Sequence, residues 1–152
     1  MYILSFVAVI LITIATVALT GGGFGSIILI LDVPSLLLLL ILTIPVLLSS
    51  GLLKDFNNSF RMVMGKKKIT SIVEIKRSIE AVTLVKNILI YGAVFISIFS
   101  TIMILKQLDN PESLGPNLAV ILITLLYALA VNIVLLPLKS RLQIMLMEHI
   151  QD

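Results

Sequence analysis

The sequence predicts an all-α integral membrane protein with four transmembrane helices, the third of them extended into the cytoplasm. Three observations lead there. The chain's 152 residues are 59% hydrophobic and 12% charged, with mean hydropathy +1.19, whereas a soluble domain is about half apolar and about a quarter charged. Four apolar stretches are each long enough to cross about 30 Å of hydrocarbon as a helix. None of the four holds an Asp, Glu, Lys, Arg or His.

The first span covers residues 1–20, apolar except for Ser5 and three threonines, Thr13, Thr16 and Thr20. It lacks the basic start and the small-residue cleavage site of a signal peptide, so a retained helix is expected. Gly21 to Gly25 break the helix, and an apolar stretch to Leu31 follows. Asp32-Val33-Pro34-Ser35 then reads as a helix start, because Asp or Ser caps free amides and Pro suits the first helical positions. The second span is expected over 35–53, with a kink at Pro45. These elements form a first unit, 1–53, with its outer loop.

Residues 54–86 are the sizeable polar segment and hold eight of the eleven basic residues. Ser71-Ile72-Val73-Glu74 matches a capping box. Ile72, Ile75, Ile79 and Val82 recur at helical spacing. With no Pro or Gly from Ser71 to Gly92, the third helix is expected to run unbroken from Ser71 to Leu105, about 50 Å. The unit 87–138 holds spans three and four, joined by a polar turn containing Asp109, Pro111, Glu112, Gly115 and Pro116. A basic tail, 139–152, carries Lys139 and Arg141. Basic residues concentrate on the cytoplasmic side, which places 54–86, the tail and both termini inside.

The net charge of +3 is accounted for by this topology, so no nucleic-acid partner is expected. The Lys66-Lys67-Lys68 run is a positive-inside signal compatible with anionic membrane lipid. With no cysteine and a single histidine, His149, neither a disulfide nor a metal site is expected. No nucleophile with its base, phosphate loop or carboxylate pair occurs, so neither an enzyme nor a cofactor is expected.

Polar residues inside the spans form stripes. Ala93, Ser97, Ser100 and Thr101 share one face of the third helix. Thr124, Ala128 and Asn132 share one face of the fourth, with Tyr127 beside them. Such stripes let helices pack closely, or they line a path that hydrates a passing ion; spacing alone leaves both open. Asn132, deep in its span, requires a hydrogen-bond partner. The spans lack the titrating groups of proton pumps and antiporters. The chain is therefore expected to be a structural module, or to borrow its acid from another polypeptide. The same lack disfavours a small multidrug carrier.

Two stretches resemble the motility protein A family, the ion-channel subunits of flagellar stators related to TolQ and ExbB. Gly21-Gly22-Gly23-Phe24-Gly25 followed by Asp32-Val33-Pro34-Ser35-Leu36-Leu37 resembles its first outer loop and second span. Residues 108–120, from Leu108-Asp109-Asn110-Pro111, followed by Thr124-Leu125-Leu126-Tyr127-Ala128, Ala130-Val131-Asn132 and Leu136-Pro137-Leu138, resemble its last turn and fourth span. Leu52-Leu53-Lys54-Asp55 adds to the likeness, which covers most of the chain outside 56–86.

The resemblance implies a subunit of a rotary motor in a bacterial inner membrane. Five copies would surround two copies of a MotB-like single-span partner whose Asp completes ion binding, and the flow of H+ or Na+ would drive a rotor or another cytoplasmic cargo. By position, Ser97 stands at a family Thr in span three, Thr124 at the span-four Thr of the ion path, and Pro137 at the inner-end Pro tied to conformational change. Ser97, Ser100, Thr101, Thr124 and Asn132 become the expected ion pathway. The chain departs from the family in three ways. Ile90-Tyr91 replaces the Ala-Pro before span three. Ile96 and Ser100 replace glycines. The cytoplasmic insert is cut to about 54–86, so the load driven need not be a flagellum. A non-conducting membrane scaffold is the alternative.

Overall fold

The computed structural model describes residues 4, 7, 8, 11, 12, 15, 16, 32–67, 71–106 and 114–151. Among them the chain is helical and holds no strand. Four helices are continuous: α1 Val33–Ser49, α2 Leu53–Val63, α3 Ile72–Leu105 and α4 Leu114–Gln151. The seven described residues of the first expected span are also helical. The rest of that span, its glycine loop and most of the turn after α3, including Asp109, Pro111 and Glu112, lie outside the described residues.

α1 starts as its sequence dictates. Asp32 has an extended backbone, its carboxylate accepts from the Ser35 amide at 3.3 Å, and a proline stands within the first two helical positions. The helix continues through Pro45. The sharp turn falls further on, at Gly51, whose φ of 67° favours glycine. The Leu52 amide there bonds back to the Leu47 carbonyl, satisfying a free end of α1. α1 and α2 meet at 100°. α1 thus ends at Ser49 rather than at 53, and Leu53 opens a new amphipathic helix that runs to Val63, where the sequence predicts the end of span two and the start of the polar segment.

α3 begins where expected. Ser71 is its N-cap, accepting from the Glu74 amide at 3.3 Å, and the Glu74 carboxylate pairs with Lys67. Its 34 residues span about 51 Å and the 38 of α4 about 57 Å. α4 absorbs two stretches read as separate from span four. Leu114 to Pro116 is its first turn, and the tail from Lys139 continues it.

α3 and α4 pack as an antiparallel pair and form the spine of the core. Val82, Val85, Leu89 and Ala93 of α3 meet Ala128, Leu135, Leu138 and Leu142 of α4 in one buried cluster. Leu39 and Leu47 of α1 and Met62 of α2 complete it. Ala93 and Ala128 are fully buried in this contact, the small side chains that close helix packing uses. A Cβ on Gly92 would lie 2.2 Å from Leu42 Cδ2, so α1 also approaches α3 tightly.

The outer surface is apolar along most of its length. Tyr91 and Phe95 of α3 are 71% and 70% exposed, and Leu122, Leu129 and Leu136 of α4 are also exposed. A water-soluble monomer rarely shows a continuous apolar face of this size. α3 and α4 are long and apolar enough to cross a membrane; counting the bent α1–α2 pair makes three such elements among the described residues. The protein is a helical membrane protein.

Candidate ion-pathway cavity

Between α1, α3 and α4 lies an open-sided cavity of about 380 Å³. Its polar wall is built by helix periodicity from three chain segments. Ser35 sits one turn into α1; Ser97 and Ser100 lie on one side of α3; Asn117 and Thr124 lie two turns apart on α4. Leu38, Ile96, Phe99, Met103, Ile104, Val120 and Ile121 supply the apolar remainder. The site is thus mostly apolar with a few convergent hydroxyls, the usual make-up of a small-ligand pocket.

The hydroxyls differ in state. Thr124 is buried, and its single proton goes either to Ser35 Oγ at 2.7 Å or to the Val120 carbonyl at 3.1 Å. Ser35 Oγ also donates to the Asp32 carboxylate. The Asp32 amide in turn donates to the Tyr127 hydroxyl at 2.8 Å. Asp32, Ser35, Thr124 and Tyr127 therefore tie the start of α1 to the middle of α4. Ser97 is different. It is only 7% exposed, and its hydroxyl has no hydrogen-bond partner. An unpartnered buried hydroxyl costs about 1–3 kcal/mol; Ser97 is one of the residues that line the cavity, and its oxygen is covered from solvent.

The sequence-derived pathway residues divide accordingly. Ser97, Ser100 and Thr124 share the cavity. Thr101 lies outside its lining and bonds back to the Ser97 carbonyl at 2.7 Å. Asn132 lies about two turns deeper on α4, where its amide nitrogen bridges the Ala128 and Lys86 carbonyls at 2.9 and 3.2 Å. It thus has the partner its burial demands, and it fastens α4 to α3; its Oδ1 remains buried and unpartnered. Pro137 is half-buried within an unbroken α4.

Sequence reasoning missed Ser35 and Asn117 as lining residues, and Asp32 as the partner that holds Ser35 from outside the lining. Asp32 and Ser35 were read as capping residues; Asp32 is the cap, and Ser35 is the residue whose amide it caps. Only the packing of α1 on α4, 89 residues away in sequence, turns the cap toward the cavity. The available signal was the three-residue spacing itself, which places the Ser hydroxyl beside the capping carboxylate at a span's outer end.

At the other end of the α3–α4 pair, Lys86 and Lys139 face each other. Burial, and then the neighbouring Lys139 charge, push the Lys86 amine below the usual lysine range. Among the described residues no cluster of three or more His, Asp or Glu side chains could hold a metal.

Comparison of the chain with known protein families, with curated proteins and with solved structures gives no match.

Proposed function

We propose that this protein is the ion-conducting subunit of a membrane motor of the stator type. Five copies surround two copies of a single-span, MotB-like partner, and H+ or Na+ passes between them. The observation that supports this is the cavity of about 380 Å³ whose wall carries Ser97 with a buried, unpartnered hydroxyl beside Ser100 and Thr124. A hydroxyl-lined cavity between apolar helices supplies oxygen ligands to a small cation but no balancing charge. α1, α3 and α4 are apolar within their spanning parts, so the carboxylate that holds the cation comes from the partner. In this reading both termini and 54–86 face the cytoplasm of a bacterial inner membrane, and the first span completes a set of four. The short cytoplasmic segment suits a load smaller than a flagellar rotor.

One observation favours a non-conducting scaffold instead. Thr101 and Asn132 are spent on carbonyls of their own chain, as helix packing uses them. The two readings separate in liposomes. Co-reconstitution with a co-encoded single-span protein bearing an intramembrane Asp is expected to give cation flux, reduced at least tenfold by Thr124→Ala and abolished by Asp→Asn in the partner. Purification as a lone monomer with no flux under any condition would favour the scaffold.

A further inference from the structure

α2 carries two exposed cations that neither ion conduction nor helix packing uses. Its eleven residues leave α1 at 100°, so if α1 stands across a membrane, α2 lies along the membrane surface. Its inner side is Asp55, Ser59 and Met62, all buried. Asp55, the acid of the first turn, is turned inward, where Arg77 Nε of α3 donates to it at 2.9 Å. The outward side is therefore left with two cations, Lys54 and Arg61, seven residues apart on one stripe and both exposed. Neither makes an ion pair among the described residues. Beside them Leu53, Lys54, Phe56, Asn57 and Phe60 line an open groove of about 370 Å³, with the Phe56 and Phe60 rings edge to face at 5.3 Å. A cation at the mouth of an aromatic-floored groove, on a helix parallel to the bilayer, matches a molecule with an anionic head and an apolar tail.

We propose that the α2 groove binds an anionic phospholipid, with its phosphate held by Lys54 and Arg61 and the start of its acyl chains laid on Leu53, Phe56 and Phe60. Charge complementarity selects this occupant. Turning Asp55 inward removes the one carboxylate that would repel a phosphate, and the groove floor gives a free phosphate ion nothing to hold. The site requires membrane insertion only. It stands or falls separately from ion conduction.

Native mass spectrometry of the delipidated protein in detergent tests it, with phosphatidylglycerol, phosphatidylcholine and inorganic phosphate as separate probes. Phosphatidylglycerol is expected to bind in preference to phosphatidylcholine, and inorganic phosphate neither to bind nor to compete. One cation near an anionic lipid surface is worth about fivefold in affinity, so Lys54→Gln with Arg61→Gln should weaken phosphatidylglycerol binding about 25-fold. Lys54→Arg with Arg61→Lys should retain it. Leu53→Ser, at an exposed position, should weaken both lipids. Helicity by circular dichroism should match the parent in each variant, because none of the three side chains is buried. Equal binding of the two lipids, phosphatidylglycerol binding insensitive to the charge-removing pair, or competition by inorganic phosphate would overturn the proposal.

Discussion

Removing the Arg77 side chain should release α2 from α3. The guanidinium joins the two sides of the bend at two points: Nε donates to Asp55 Oδ2 at 2.9 Å, and Nη2 to the Gly51 carbonyl at 3.3 Å. Asp55 is only 8% exposed, so its carboxylate has little water to fall back on once Arg77 is gone. Breaking a fully buried ion pair costs about 3–5 kcal/mol, and an exposed one about 0–1 kcal/mol. The carboxylate side chain is 12% exposed but the arginine 55%. Solvent screening on the arginine side therefore brings the expected loss for Arg77→Ala down to about 1–2 kcal/mol. Asp55→Ala leaves its partner charge in water and should cost about 1 kcal/mol. The double variant isolates the pair, with an expected coupling of about 1 kcal/mol. Arg77→Lys should fall between, since an ammonium cannot reach both acceptors as a planar fork does. Unfolding by SDS in mixed micelles, followed by circular dichroism, gives all four free energies. Additivity of the single variants within about 0.3 kcal/mol would refute the claim that this pair holds the bend.

Three further outcomes follow from the packing. Gly92→Ala places a methyl against Leu42 Cδ2, the free end of a side chain that is 39% exposed and can turn aside for about 0.5–1.5 kcal/mol, against about 1 kcal/mol gained in helix propensity; the variant should match the parent's stability within about 1 kcal/mol in thermal unfolding, and a larger loss would show that Leu42 is locked in place. Ser35→Ala removes the hydroxyl between Asp32 and Thr124 and should cost about 1 kcal/mol, while Thr124 keeps its bond to Val120; equal stability of parent and variant would contradict the tie. For Lys86 the folded-state pKa is lowered, so the unfolded chain binds the proton more tightly and stability rises with pH from the folded pKa up to the unfolded one. Lys139→Gln removes the second cause of the shift and should shrink that rise in an alkaline thermal-unfolding series.

The parts of this fold that were legible in the sequence are the local ones. Ser71 and Glu74 specify the start of α3 within a single turn, and the uninterrupted run that follows specifies its length. Asp32 and Pro34 specify the start of α1 in the same way. The α1–α2 bend was hidden because Ser50, Gly51, Leu52 and Leu53 continue a leucine-rich stretch; Pro45 drew the expected distortion instead, yet the helix tolerates it and the chain turns at Gly51. α2 was hidden in turn because its alternation of Phe56, Phe60 and Met62 with charges is short and sits in a segment dominated by lysine. The cavity was half legible. Ser97, Ser100 and Thr124 emerged from helical spacing, but that spacing could not distinguish them from Thr101 and Asn132, which lie outside the cavity lining. The tie from Thr124 through Ser35 to Asp32 depends on tertiary packing across 89 residues, which no local pattern encodes.

The central proposal is that this chain lines an ion path but does not complete one, because the residues lining the cavity beside Ser97 bring hydroxyls and an amide but no carboxylate. Cation flux into liposomes, measured for the chain by itself and again with a single-span partner bearing an intramembrane Asp, tests it most directly. The account predicts no flux above empty vesicles for the chain by itself and flux with the partner that disappears when the Asp becomes Asn. Sodium or proton movement through the chain unaided, or flux that persists without the partner's carboxylate, would contradict it.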